Sequence, residues 1–359
     1  MKILFIIPYP LRQAPSQRFR FEQYIDFINQ NNIITDFAPF LNSKTWQILY
    51  KPGSNFQKTK GIIKGFLNRF ILLFKLGKYN AIFIHREACP IGPAFFEFII
   101  GNIFKKKIIF DFDDAIWVHD VSEANGKLGW LKNPGKTEKI IKYSKLVTAG
   151  NNYLSSFAKN FNSNVFIIPT TIDTDYHKKT AATKKKITIG WTGTATTIKH
   201  FELAYSILNK VKIKYGEKIN ILLISNKPAE NAPFEIEFQP WNKDTEIEDL
   251  CKIDIGIMPL PDDQWAKGKC GFKGLQYMAL EIATIMSPVG VNSEIISDGT
   301  NGFLADSEDE WLQKLCLLIE SESLRNEFGK KARETIVKYY SVESQKNKYL
   351  EILHNAAKS

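Results

Sequence analysis

The chain has 359 residues, too many for one ordinary core and about right for two domains of roughly 150 to 180 residues each. Its 44% hydrophobic and 24% charged residues fall in the soluble globular range, and no window reaches the roughly 20 uncharged apolar residues of a membrane span. Lys and Arg total 48 against 38 Asp and Glu, a net charge of +10 that points to anionic substrates, a membrane surface or nucleic acid without choosing among them.

The N-terminal "MKILFIIPYP" has an apolar run, Ile3 to Ile7, that stops at Pro8 and is too short for a secretory segment, so it reads as a buried first strand. "APSQRFRFEQY" (14–24) opens the first helix, with Ser16 as its N-cap and Arg18 and Arg20 in the first turn. Arginines there oppose the helix dipole unless an anion is near, or they pair with Glu22 at the surface. "KTKGIIKGFLNRFILLFKLGK" (58–78) interleaves Lys58, Lys60, Lys64, Lys75, Lys78 and Arg69 with Ile, Leu and Phe and contains no acid. It is either an amphipathic helix packed on its sheet or a basic face set against an anionic membrane or lipid-linked substrate. "AIFIHREACP" (81–90) places His85, Arg86 and Glu87 at a strand end. "FDFDDAIWVHD" (110–120) ends the next strand in Asp111, Asp113 and Asp114, near His119. Clustered carboxylates suit acid–base work or recognition of sugar hydroxyls, or simply cap the following helix.

"KLVTAG" and "VFIIPTTID" complete the strands of the first half. The polar stretch "YHKKTAATKKK" then has no apolar period, after which a strand, glycine turn and helix begin afresh at Ile187. The domains are therefore expected at 1–176 and 187–340, with a linker over 177–186 and a closing helix in 341–359, capped by Ser341. "ITIGWTG", "INILLIS", "IDIGIMPL" and "ATIMSPVG" are the strands of the second half. Continuous apolar strands separated by helices predict an α/β fold of two doubly wound parallel-sheet domains facing each other across a cleft, with ligands beyond the carboxyl ends of the strands.

Three stretches of the second half lie at such ends. In "IGWTGTATTIKHFE" (189–202), Gly190 and Gly193 permit close backbone approach, Thr194, Thr196 and Thr197 can cap the next helix, and Lys199 adds charge. "GKCGFKGLQYMALE" (268–281) sets Lys269 and Lys273 at a helix start, where a cation is out of place unless an anion sits there. "SPVGVNSEIISDGTNGFLA" has Gly290 after a strand, then Glu294 and the turn "DGTNG". The dinucleotide G-x-G-x-x-G and the P-loop pattern are both absent, which weighs against NAD and ATP. Cys89, Cys251, Cys270 and Cys316 show no C-x-x-C spacing, so no disulfide framework or zinc site is indicated and a reducing cytoplasm is expected.

The ordered set resembles the nucleotide-sugar-dependent, retaining glycosyltransferases of the GT-B fold, family 4, over essentially the whole chain. "QYMA" fits that family's Glu-Ala-Met-Ala position, "GVNSE" its Gly-x-x-Glu and "TNGFLA" its Asn-Gly-Phe. "GWTGTATTIKHF" is similar to its glycine turn leading to a diphosphate-binding Arg and Lys, with Thr194 at the Arg position and Lys199 at the Lys. Gln276 stands where the family's second Glu holds the donor ribose, Gly268 where its first acid stands, and Asp113 at a strand end where many relatives carry a His.

The resemblance implies Rossmann-like domains, an N-terminal one for the acceptor and a C-terminal one for the donor, and transfer of a hexose-type sugar to a glycan or lipid-linked acceptor. It implies donor binding by Gly193, Thr194, Lys199, Gly271, Phe272, Lys273, Gln276 and Glu294. Acceptor binding falls to Arg18, Arg20, His85, Arg86 and Asp114, and catalysis to Asp113, Lys199 and Lys273. No metal and no cofactor besides the nucleotide-diphosphate sugar are expected. A cytoplasmic site, peripheral on the inner face of the membrane through 58–78, and a role in bacterial cell-surface polysaccharide synthesis follow from the same likeness. Nucleic acid is not expected as a partner, because the basic residues form no recognisable module. The rival readings are a non-catalytic glycosyltransferase-like subunit of a polysaccharide assembly complex and a nucleotide-sugar epimerase of the same fold.

Overall fold

The structure is a computed structural model that describes residues 1–49, 53–118, 133–180 and 186–358. Its chain forms two compact units, Met1–Thr170 with Gln345–Ser359, and Thr171–Ser344. His119 and residues 181–185 of the expected linker lie outside the described residues.

The first unit is built on strands β1 (Lys2–Ile7), β2 (Ile34–Pro39), β3 (Ala81–His85), β4 (Ile108–Phe112), β5 (Leu146–Ala149) and β6 (Val165–Ile167). They pair in parallel in the order β2-β1-β3-β4-β5-β6. The second unit has β7 (Ile187–Thr192), β8 (Ile219–Ser225), β9 (Glu237–Pro240), β10 (Ile255–Met258), β11 (Ala283–Met286) and β12 (Phe303–Leu304). Their order is β12-β11-β10-β7-β8-β9, again parallel. Each is an α/β unit, as the continuous apolar strands predict. Strands such as β1 and β3 are buried along nearly their whole length because helices cover both faces.

Three strands have no counterpart in the sequence reading: β2, β9 and β12. All are sheet edges. An edge strand covers only one neighbour, so it needs no unbroken apolar run; β9, "EFQP", is mostly exposed. Helix ends also differ from expectation. Ser16 is not an N-cap: the helix Pro15–Arg18 starts from Ala14 with Pro15 at its first position, where the fixed φ of proline suits a helix start. At the closing helix Val342–Ala357, the Ser344 amide donates to Ser341 Oγ at 3.0 Å. That helix packs into the first unit, with Tyr349 stacked on Tyr24 at 4.6 Å and Lys107 Nζ donating to the Ala357 carbonyl at 3.0 Å.

In both sheets the strand order reverses once, between β1 and β3 and between β7 and β10. Open α/β sheets hold their ligands beyond the strand ends at such a reversal. In the second unit the helix Phe272–Ala279 is pinned there by Tyr277. Its ring lies over Gly256 of β10, where an added Cβ would come within 2.4 Å of it, and its hydroxyl accepts the Thr192 amide of β7 at 2.8 Å.

Because that ring is fully buried and held at its hydroxyl, it cannot move aside. Gly256→Ala is therefore expected to cost about 1–3 kcal/mol by overpacking. Gly77→Ala, with no atom within 4 Å of the added Cβ, should stay within about 0.5 kcal/mol of wild type. Urea unfolding of the two variants checks the contrast.

Candidate active site

At the β7–β10 reversal the second unit gathers three lysines around one buried imidazole. His200, on the short helix Ile198–Glu202 that follows β7, is buried. Burial first, then the charges of Lys269, Lys273 and Lys199, push its pKa down to about 3. The imidazole is thus neutral at any ordinary pH. Three ammonium groups from two separate loops act on this one ring, so they lie within electrostatic reach of a common point.

The floor of the group is Trp191, the penultimate residue of β7 and fully buried. Lys273 Nζ stands 5.2 Å above its ring centroid, a cation–π contact that holds the ammonium over the indole. Gly193 is glycine for a steric reason: an added Cβ would come within 2.1 Å of the same ring. Lys269 Nζ lies 5.6 Å from the centroid of Trp265. Gly271 begins the helix Phe272–Ala279 with φ +67° and no side-chain cap, and a Cβ there would meet Ile295 at 2.3 Å. The first turn of that helix and Lys273 therefore stand together, and both favour an anion.

The turn after β7 contributes less than the sequence suggests. The Gly193 amide donates to the Ile224 carbonyl, the Thr194 amide to Thr197 Oγ1 and the Ala195 amide to Asn226 Oδ1. Thr194 Oγ1 bonds Thr196 Oγ1 at 2.8 Å, and Thr197 begins the helix without a side-chain cap. These amides are spent on the end of β8 and on Thr197, leaving Lys199 as the turn's electrostatic contribution. Gln276, expected at a donor ribose, is only 2% exposed. Its amide lies 3.4 Å from Glu246 Oε1 and 3.5 Å from His177 Nε2, in a buried polar group that Trp241 joins through Glu246. Glu294 is exposed on the helix Asn292–Ile295, and its charge, after burial, helps to push the Tyr340 phenol up to about 12. Gly268 ends the helix Gln264–Lys267 and brings no carboxylate to the place of the family's first acid.

In the first unit the residues after β1, β3 and β4 sort into two groups. The inner one centres on Asp111. Its carboxylate accepts Arg20 Nη2 at 2.5 Å, His85 Nδ1 at 2.8 Å and Thr148 Oγ1 at 2.8 Å. Burial alone would raise this carboxyl, but Arg20 and His85 outweigh it and hold it far below the usual carboxylate range. Arg20 also donates to the Ile168 carbonyl. Arg20 and His85, expected to touch an acceptor, are instead sealed in the unit's interior, with the Phe21 ring edge-on to the imidazole at 5.5 Å. A buried carboxylate needs such partners, and these two residues supply them.

The outer group is partly exposed. Arg86, with φ +60°, donates Nε to Asp113 Oδ1 at 2.7 Å and a second nitrogen to Asp114. Burial would raise Asp113; Arg86, followed by His85, more than offsets it, so the carboxyl stays below its ordinary range and ionised. An ionised Asp113 can accept hydrogen bonds from sugar hydroxyls or face a developing positive charge, but it is no proton donor near neutrality. Arg18 lies over the Phe19 ring at 5.0 Å, and its charge acts on Glu22, whose carboxyl burial nevertheless raises. Sequence reading names Arg86, Asp113 and Asp114 at two separate strand ends, which the structure brings together, but it overlooks His200 and Trp191. Lys199 beside His200 was the available signal. Among the described residues, no group of three or more His, Cys, Asp or Glu side chains is arranged to hold a metal ion.

Residues 173–335, nearly all of the second unit, match the family described as Glycosyl transferases group 1. No curated protein matches the chain. Among solved structures, a glycosyltransferase from Rickettsia africae ESF-5 is similar with a TM-score of 0.72 and 16% identity, covering 100% of this chain and 99% of that one. Anabaena Alr3699/HepE in complex with UDP-glucose has a TM-score of 0.71 and 12% identity over 99% and 100% of the two chains. Sucrose-phosphate synthase from Thermosynechococcus elongatus has 0.70 and 10% over 99% and 98%. These likenesses show the fold, the GT-B architecture that the sequence resemblance implies.

Two measurements test the two charge groups. The His200 ring proton followed by NMR should not titrate between about pH 8 and 5, and added inorganic pyrophosphate should raise its pKa, because an anion among the lysines offsets the charges that depress it. Titration near 6.5 with no response to pyrophosphate would contradict the arrangement. In the first unit, Asp111→Ala leaves Arg20 buried without its carboxylate and should cost about 3–5 kcal/mol near neutrality. Since the folded carboxyl titrates below its unfolded value of about 3.9, the native pair's contribution is complete above that pH and fades as the pH falls through it. The stability gap between wild type and variant should narrow accordingly in urea titrations below about pH 4.

Proposed function

We propose that the chain transfers a hexose-type sugar from a nucleoside-diphosphate donor to a glycan or lipid-linked acceptor with retention at the anomeric carbon, in the synthesis of a cell-surface polysaccharide on the inner face of the cytoplasmic membrane. The observation that carries this reading is Lys273 held over Trp191 at the uncapped first turn of Phe272–Ala279, beside the β7–β10 reversal, with Lys199 and Lys269 adding positive charge near His200. UDP and UDP-glucose complexes of the structurally similar Anabaena protein, and an ADP complex of a starch synthase catalytic domain, favour a nucleoside diphosphate as the anion.

The chemistry follows from where charge develops. Breaking the bond between the sugar C1 and the diphosphate oxygen leaves a pair of electrons, and so negative charge, on the leaving phosphate. Lys273, held over Trp191 before the donor arrives, stabilises that charge without reorganising in the transition state, which is the larger part of such catalysis, and Lys199 adds charge beside it, in this reading in place of a metal. The cation–π contact with Trp191 fixes one ammonium, and the neutral state of His200 keeps a fourth positive charge from the group. Gly271 and Phe272 would add the first-turn amides of their helix, with Gly193 and Thr194 as the opposite wall and Glu294 a partner for donor hydroxyls. Gln276 takes a positioning role in this reading, given its burial. Arg18, Arg86, Asp113 and Asp114, in the first unit, would bind the acceptor, with Asp113 ionised.

A second reading is a donor-binding subunit without turnover. It draws on one feature, the absence of a carboxylate at Gly268. Lys273→Ala separates the two. For a transferase it should lower kcat/KM for the cognate nucleotide sugar about 10²–10³-fold with the unfolding midpoint little changed, as loss of one preorganised charge does elsewhere. If wild type binds nucleoside diphosphates in a thermal-shift assay but releases no sugar from any nucleotide sugar, the subunit reading stands and the transferase fails.

A further inference from the structure

The turn that follows β3 is held by charged side chains from three helices. Arg86 sits at its centre with φ +60°, and the Glu87 amide donates across it to the His85 carbonyl at 2.7 Å. A three-residue turn with positive φ at its centre is the rare, strained kind, and with a side chain there it persists only where the surroundings over-determine it. Glycine would adopt the turn without that strain, but it has no guanidinium to set on Asp113 and Asp114.

Three buried residues supply the over-determination. Glu97, on the helix Phe95–Phe98, accepts the Ala88 amide at 2.8 Å. Arg69, on the helix Asn55–Leu73, donates to the Ala88 carbonyl at 2.7 Å and, with a second nitrogen, to the Ile7 carbonyl at the end of β1 at 3.0 Å. It reaches them because Gly61 and Gly65 let its helix lie close: an added Cβ would sit 2.3 Å from Thr45 Oγ1 or 2.8 Å from the Phe40 ring. Lys136, the first residue of the helix Lys136–Tyr143, donates to the Cys89 carbonyl at 2.7 Å and pairs with the Glu87 carboxylate at 2.6 Å. All three are at most 5% exposed. The segment directly after Arg86 is thus fixed at the Glu87 side chain, at both backbone groups of Ala88 and at the Cys89 carbonyl.

Taking charged groups out of water is costly, and a plain surface turn satisfies its backbone with water instead. Burial brings the Arg69 guanidinium down to about 10 and raises the Glu97 carboxyl, so both carry that cost. Such a cost is in proportion to placing a side chain accurately. We propose that Arg69, Glu97 and Lys136 are positioning residues: they hold the turn after β3 so that Arg86 meets Asp113 and Asp114. The inference rests on the sugar-transfer reading for what that trio binds, and it deepens that reading by naming the residues that set the trio in place.

The test follows the arginine Nε–H signals of the full chain by NMR near neutral pH, with the Arg86 signal assigned by its loss in Arg86→Lys. In wild type this proton, donated to Asp113, should exchange slowly with solvent. Glu97→Leu and Lys136→Met should each speed its exchange about tenfold or more, while the buried Arg20 proton of the same unit keeps its rate. Glu97→Gln still offers an oxygen to the Ala88 amide and should restore the wild-type rate. A merely structural role would move both arginine signals together. Should Glu97→Leu unfold, Lys136→Met, at a helix start, gives the same readout. Two results overturn the proposal: Arg86 exchange that stays at the wild-type rate in these variants, or Arg20 exchange that accelerates equally. If Arg86 responds as stated but wild type releases no sugar from UDP-, ADP- or GDP-linked hexoses, the hold on Arg86 stands and only the sugar-transfer reading falls.

Discussion

One contact in the second unit sets the position of everything around the lysines: Tyr277 lying across Gly256 with its hydroxyl on the Thr192 amide. It ties the helix Phe272–Ala279 to β10 by packing and to β7 by a hydrogen bond, across the point where strand order reverses. A tyrosine can do this only where the strand beneath it has no side chain. Burial drives the phenol well above its usual range, so it stays a neutral acceptor for the amide. Lys273 is four residues before Tyr277, one turn away on the same helix, so its place over Trp191 follows from this anchor.

The two units handle charge in opposite ways. In the first, the carboxylates at the end of β4 have matching cations: Asp111 with Arg20, Asp113 and Asp114 with Arg86. These groups close on one another, which suits a scaffold and limits how much of the cluster can meet a ligand. In the second, the charges that act on His200 are three cations, Lys269, Lys273 and Lys199. Positive potential gathered at one point favours an anion there. The imidazole stays neutral, because a protonated His200 would add a fourth charge.

The helix Asn55–Leu73 carries a third kind of surface, an outward face with large exposed apolar residues. Gly61, Gly65 and Arg69 line the inward face, where Phe66 packs on the Phe40 and Phe96 rings, so burying the helix takes up only part of its large apolar residues. Side chains such as Phe74 remain in water, where each exposed apolar area is unfavourable until something covers it.

By itself, the sequence determined the fold class, the nine strands with continuous apolar runs, the glycine turn after β7 and the group 1 pattern from "GKCGFKGLQYMALE" to "TNGFLA". These are local signals: burial on both faces requires an unbroken apolar run, and a close turn requires glycine. It could not show the edge strands β2, β9 and β12, whose half-covered faces leave no such run. It placed Lys199 and Lys273 by spacing, yet their meeting at His200 depends on two loops that lie more than seventy residues apart along the chain. Arg20 and His85 carry the residue types of a binding site, and only the tertiary structure shows them facing inward, because Asp111 at the end of β4 needs their charge and hydrogen bonds. The same limit applies to the helix Asn55–Leu73: its composition announces a basic and apolar character, but which side faces the protein was decided by what Phe40, Thr45 and the Ile7 and Ala88 carbonyls leave room for. Periodicity is written along one segment, whereas the direction in which a side chain finally points is set by partners that folding brings from elsewhere.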